Sequence, residues 1–133
     1  MKKLLLLSAM TTLAAVSTAQ WYRTGYVNSD AYVSGGYITS SSGWLNVYWT
    51  GYVTNYTPGR STWRVKIWDY AVSSQPIANE TFASYAGSTN YSRNYHVTPG
   101  HQVKVELYAC SFQYTNTNPL STHVCTYLWI MPI

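Results

Sequence analysis

From residue 44 onward the chain repeats one pattern. Apolar and polar side chains alternate over short runs, and each run stops at a cluster of Gly, Pro, Asn or Ser. In the run Trp44–Thr54, Leu45, Val47, Trp49, Gly51 and Val53 share one parity, and Asn46, Tyr48, Thr50 and Tyr52 share the other. Further on, Trp63, Val65 and Ile67 oppose Arg64, Lys66, Trp68 and Tyr70. Val103, Val105, Leu107 and Ala109 oppose Lys104, Glu106, Tyr108, Cys110 and Phe112. Val124, Leu128 and Ile130 oppose Cys125, Tyr127 and Trp129. A period of two is that of a strand with one buried face, and few stretches after residue 20 support an amphipathic helix.

The runs are Trp21–Val27, Ala31–Thr39, Trp44–Thr54, Thr62–Val72, Glu80–Ala83, Asn90–Val97, Gln102–Tyr114 and Thr122–Met131. Turn residues separate them: Asn28-Ser29-Asp30, Ser40–Gly43, Thr57-Pro58-Gly59, Ser73–Pro76, Thr98-Pro99-Gly100 and Thr115–Pro119. Short strands at this spacing predict an all-β antiparallel sandwich or barrel. The phrase Tyr-x-Thr-Gly-Tyr-Val occurs at Tyr22–Val27 and again at Tyr48–Val53, which reads as two similar strands in one sheet.

The first 19 residues follow a different rule. Lys2 and Lys3 precede Leu4–Leu7 and an apolar stretch to Val16, and Ser17-Thr18-Ala19 follows. A positive start, a short apolar centre and small residues at the end make a signal peptide, with Gln20 as the expected mature start. The apolar run is shorter than the ~20 residues a membrane helix needs, and no later segment is long enough, so no span is expected in the mature form. The expected organisation is a cleaved leader at 1–19 and one domain at 20–133. The expected location is secreted, periplasmic or cell-surface. The leader is bacterial in type, so Asn55, Asn79 and Asn90, each in an Asn-x-Ser/Thr sequence, are expected to stay unmodified.

Composition narrows the function. The chain holds 14 Tyr, 6 Trp and 2 Phe, with only 9% charged residues, a profile opposed to disorder. Without Lys2 and Lys3, six basic residues face four acidic ones, a formal +2 with no basic cluster. That argues against a nucleic-acid partner held by phosphate contacts. The carboxylates are Asp30, Asp69, Glu80 and Glu106, and no hydrolase or phosphate-loop motif accompanies them. His96, His101 and His123 lack ligand spacing, so neither metal nor cofactor is expected. Cys110 and Cys125 form an even count, which in an exported chain suggests a disulfide. If they face each other in an antiparallel hairpin, Tyr108 faces Tyr127 and Glu106 faces Trp129.

Leu45-Asn46-Val47-Tyr48-Trp49 resembles the second-strand pattern of fibronectin type III domains. Trp63-Arg64-Val65-Lys66-Ile67 is similar to that family's third strand. Val97-Thr98-Pro99-Gly100 followed by Val103–Leu107 looks like its Pro-Gly turn and the strand after it. Val103 stands where the family has its corner tyrosine. The resemblance covers Gly43 to Met131 and implies an antiparallel two-sheet sandwich of about 7–8 strands, fibronectin type III-like or Ig-like. It implies sheets of three and four strands, with the Trp63, Gln102 and Thr122 runs side by side in the larger.

Their outward residues would then form one surface. The candidate binding residues on it are Arg64, Lys66, Trp68, Tyr70, Tyr108, Phe112, Tyr127 and Trp129, with Lys104 and Glu106 among them. Tyr and Trp pair an apolar ring with a polar handle and suit interfaces and sugar rings. The expected function is a non-enzymatic binding module for a cell-envelope protein or polysaccharide, or for a copy of itself. A carbohydrate-binding module, a small exported hydrolase and a structural envelope component are the alternatives.

Overall fold

A computed structural model describes residues 15–17, 20–23, 29–54, 61–111 and 122–133. The described strands are β1 (Ala15–Ser17), β2 (Gln20–Arg23), β3 (Ser29–Thr39), β4 (Trp44–Thr54), β5 (Ser61–Trp68), β6 (Ala78–Ala83), β7 (Gly87–His96), β8 (Gln102–Ser111) and β9 (Thr122–Pro132). The seven long strands form two antiparallel sheets, one ordered β3-β8-β5-β6 and the other β9-β4-β7. β1 and β2 both pair with β9 on the side away from β4. The chain is an all-β sandwich.

The alternation places the core. Leu45, Val47, Trp49, Val53, Trp63, Val65, Ile67, Val103, Val105, Leu107, Leu128 and Ile130 are all buried between the sheets. Aromatic contacts tie the layers together. Phe82 of one sheet meets Trp49 of the other edge-on at 5.0 Å between ring centroids, and Trp49 in turn stacks at 4.7 Å on Tyr91, its partner in its own sheet. Each such pair adds about 0.5–1.5 kcal/mol beyond the area it buries.

Where the run ends are described, the strand bounds follow them to within three residues, with one larger shortening. The Thr62 run stops at Trp68 because Asp69 starts a turn. Its carboxylate accepts the Ala71 N–H at 3.1 Å, and its carbonyl accepts those of Val72 and Ser73 at 3.0 Å each. At the same end, Ser40–Gly43 and Thr98–Gly100 meet. Val97 N–H donates to Gly43 and Gly100 N–H to Ser40, both at 2.8 Å. Gly43 has φ of +84°, which favours glycine, and its approach to Pro99 leaves no room for a side chain.

Three expectations are corrected. The Thr122 run does not neighbour the Gln102 run: β9 lies beside β4, in the other sheet, so the strand order is not the one the fibronectin resemblance implies. Cys110 and Cys125 therefore do not face each other. Cys110 is flanked by Asp30 and Thr62, and Cys125 by Gly51 and Gln20; both thiols are free and buried. The parity of β9 also changes midway. Thr50 pairs with Tyr127 and Gly51 with Cys125, leaving Thr126 as the extra residue of a bulge. Below that bulge His123 and Cys125 turn into the core, and Val124 moves to the outer parity.

Of the first copy of the repeated phrase only Tyr22 and Arg23 are described, both in β2. Gln20–Arg23 and β4 lie on opposite sides of β9 in one sheet. Residues 24–28 and the turn Thr115–Pro119 lie outside the described residues.

Candidate functional site

The outer face of the four-strand sheet is an ordered lattice. Register sets its rows: Asp30, Cys110, Thr62 and Ala83; then Tyr32, Tyr108, Arg64 and Thr81; then Gly35, Glu106, Lys66 and Asn79; then Tyr37, Lys104 and Trp68. Five of the described Lys, Arg, Asp and Glu side chains stand here.

Ion pairs and rings interlock across the rows. Arg64 Nη1 lies 2.7 Å from Asp30 Oδ2, and Lys66 Nζ lies 3.5 Å from the same oxygen. The Cys110 thiol donates to Asp30 Oδ1 at 2.7 Å. Burial and this carboxylate push that thiol up to about 12. Tyr108 donates its hydroxyl to Glu106 at 3.0 Å and meets Tyr32 edge-on at 5.8 Å. Burial, then the Glu106 contact, hold the Tyr108 phenol well above its ordinary range. The Lys66 ammonium sits 4.5 Å from the Tyr108 ring centroid, and Lys104 sits 5.9 Å from that of Tyr37, both cation–π distances. Trp68 stacks on Tyr70 at 5.7 Å.

Arg64, Lys66, Trp68 and Tyr108 thus come together on this face, with Tyr70 just past the end of β5. Tyr127 and Trp129 do not join them. They lie on the outer face of the opposite sheet, in contact with each other at 5.8 Å, and Tyr127 also touches Tyr48 at 5.9 Å. Phe112 lies outside the described residues.

Two prominent aromatics of the lattice escaped the sequence reading. Tyr32 is 45% exposed and Tyr37 58%. They are five residues apart, so a regular strand would send them to opposite faces. A register shift between Tyr32 and Ser34 makes Val33 the extra residue, and both rings emerge on the same side of β3. Gly35 lies between them, and the Tyr32 hydroxyl leans over it, 3.2 Å from where a Cβ would stand.

The other carboxylates are structural. Asp69 is buried and holds His101 Nδ1 at 2.7 Å beside the β5 turn. Glu80 points between the sheets, where Tyr95 donates to it at 2.8 Å and Arg93 pairs with it at 3.1 Å. Among the described residues no group of three or more His, Cys, Asp or Glu is placed to hold a metal ion, and no helix is long and apolar enough to cross a membrane.

No protein-family model and no curated protein matches the sequence. Among solved structures, the fold is similar to TmCBM61 in complex with β-1,4-galactotriose, with a TM-score of 0.52 at 10% identity over 90% of this chain and 82% of that one. The C-terminal CBM6 of LamC, a marine laminarinase from Zobellia galactanivorans, aligns over 90% of this chain and 98% of its own at 13% identity and a TM-score of 0.44. The fold is thus similar to that of carbohydrate-binding modules, a class of β-sandwich.

Proposed function

We propose that the chain is an exported, non-enzymatic module that binds polysaccharide on the outer face of the β3-β8-β5-β6 sheet. The observation that carries this reading is the lattice itself. Tyr32, Tyr37 and Trp68 offer ring surfaces to the C–H faces of sugars. Arg64 and Lys66, standing between them, offer donors to hydroxyl groups, and the exposed Asp30 beside them offers an acceptor. A solved protein of the same fold carries a bound galactotriose, which supports the ligand class. The signal-peptide reading of residues 1–19 supports export.

The arrangement of carboxylates favours binding over hydrolysis. Asp30 and Glu106 share this face, but Asp30 pairs with Cys110, four residues from Glu106 along β8. Asp30 is held there by Arg64, Lys66 and the Cys110 thiol, and Glu106 by Tyr108 and Lys104. Asp69 and Glu80 are engaged elsewhere by His101 and by Arg93 with Tyr95.

The test is affinity electrophoresis against a panel of neutral and acidic polysaccharides, β-1,4-galactan among them. Tyr37→Ala and Trp68→Ala are expected to lower retardation at least tenfold while leaving the circular dichroism unchanged. Equal retardation of the variants and the parent chain, or no retardation of the parent on any polymer, would sink the reading.

A further inference from the structure

The opposite face of the sandwich has its own chemistry. On the described outer face of β4, β7 and β9 no side chain is Asp, Glu, Lys or Arg. Tyr48 lies beside Trp129 across the β4–β9 pair, and Thr50 lies beside Tyr127. The rings of Tyr48, Tyr127 and Trp129 are in contact as a strip.

Next to the strip runs a column of amides on β7. Asn46 Nδ2 donates to Ser92 Oγ at 2.9 Å and to Asn94 Oδ1 at 2.8 Å. Thr50 Oγ1 donates to Asn90 Oδ1 at 2.9 Å. These bonds occupy amide oxygens and fix the side chains, so the NH₂ groups of Asn90 and Asn94, both exposed, are left to donate outward; they have no partner among the described residues.

We infer that this face is a second binding site, and that its occupant is an uncharged polysaccharide chain. A charged polymer would lose hydration on β4, β7 and β9 with no opposite charge to meet; the one basic register position of this sheet's outer parity among the described residues, Arg23, lies at the edge on β2 opposite Thr122. A neutral glycan meets an aromatic strip with fixed donors beside it. The inference goes beyond the function proposed above: the chain carries two glycan faces on opposite sides of one sandwich, one charged and one neutral, and so can cross-link.

The test is titration with β-1,4-galactan and with xyloglucan, both uncharged, in 1 M NaCl, where charge contacts are screened to about 3 Å. Tyr37→Ala with Trp68→Ala should weaken binding but leave a measurable residue that belongs to this face. In that background Trp129→Ala is expected to weaken the residual binding at least tenfold. Asn94→Ala, an exposed change that leaves the core intact, is expected to weaken it three- to tenfold. If the Tyr37 and Trp68 pair alone abolishes binding, all recognition belongs to the other face; the inference is overturned and the proposed function stands. Parent binding unchanged in every variant, or absent for both polymers, overturns it too. A dimer in sedimentation that Trp129→Ala dissociates would give the face to a second copy and overturn it as well.

Discussion

Gly51 of β4 lies against the indole of Trp63 on β5, so close that a Cβ at position 51 would stand 2.5 Å from the ring. The two residues belong to opposite sheets, and the missing side chain lets the largest core residue of one sheet reach the backbone of the other. Neither Trp63, fully buried, nor the β4 backbone has room to retreat. Gly51→Ala is therefore expected to destabilise the fold by about 1–3 kcal/mol through overpacking. A lower urea midpoint at unchanged slope is the expected result; an unchanged midpoint would show that the ring moves aside freely.

His123 sits edge-on to the same indole at 4.8 Å. It is fully buried, with Nε2 3.4 Å from Ser84 Oγ and no partner for Nδ1 among the described residues. Burial lowers its pKa from 6.5 to about 4. Above pH 6.5 the ring is neutral in both folded and unfolded chains, and folding is unaffected by its titration. Between about 6.5 and 4 the unfolded chain takes up a proton that the folded chain refuses, so stability falls with pH, by about 3 kcal/mol over the window. His123→Phe should flatten that part of a stability profile measured by chemical denaturation. A profile equally steep in the variant would place the proton elsewhere.

This pair also shows what was legible in the sequence. Trp63 and the aliphatic residues of its strand declare their face by alternation, which depends only on neighbours along the chain. His123 and Cys125 could not be placed that way, because the extra residue at Thr126 reverses the parity of β9 and no residue type marks it. The bulge at Val33 hid Tyr32 and Tyr37 for the same reason. Which strands lie together was hidden too. Alternation says which side of a strand is wet but not which strand is its neighbour, so Tyr127 and Trp129 had the right orientation in the wrong sheet.

The free thiols follow from that sheet assignment. Burial raises the Cys110 thiol to about 12 and the Cys125 thiol to about 11. Little thiolate, the reactive form, exists at neutral pH, and neither sulfur is open to solvent. A thiol-specific reagent is expected to find no reactive group in the native protein and two after denaturation without reductant. Two unreactive sulfurs in the denatured, unreduced chain would restore the disulfide.

Glu80 and Tyr95 close the β6–β7 side of the sandwich. The Tyr95 hydroxyl donates to Glu80 at 2.8 Å in a setting where Tyr95 is buried, and burial, then this carboxylate, holds the phenol protonated. The neighbouring Arg93 is well exposed, so its ion pair with Glu80 contributes little. Glu80→Ala removes the acceptor and is expected to cost about 1–3 kcal/mol, whereas Glu80→Gln keeps one and costs less. Denaturation curves for the two variants test the order. Equal losses would mean that the charge, not the acceptor, matters.

The last prediction concerns β1. Ala15–Ser17 pairs with Leu128–Ile130 on the edge of β9, yet these three residues fall inside the segment read as a leader. Cleavage after Ala19 would remove β1 and keep β2, which pairs with Thr122–Cys125. The processed chain would then expose a short unpaired edge at Leu128–Ile130, while Thr122–Cys125 stayed covered by β2. Unpaired edges are templates for another strand. If the leader is cleaved where its sequence predicts, mass spectrometry of the processed chain should give a start at Gln20. In that chain, amides of 128–130 that point away from β4 should exchange faster than in the unprocessed form, with Thr122–Cys125 unchanged. A mature chain that retains Ala15–Ser17 would instead make β1 a permanent strand of the sheet and leave that edge closed.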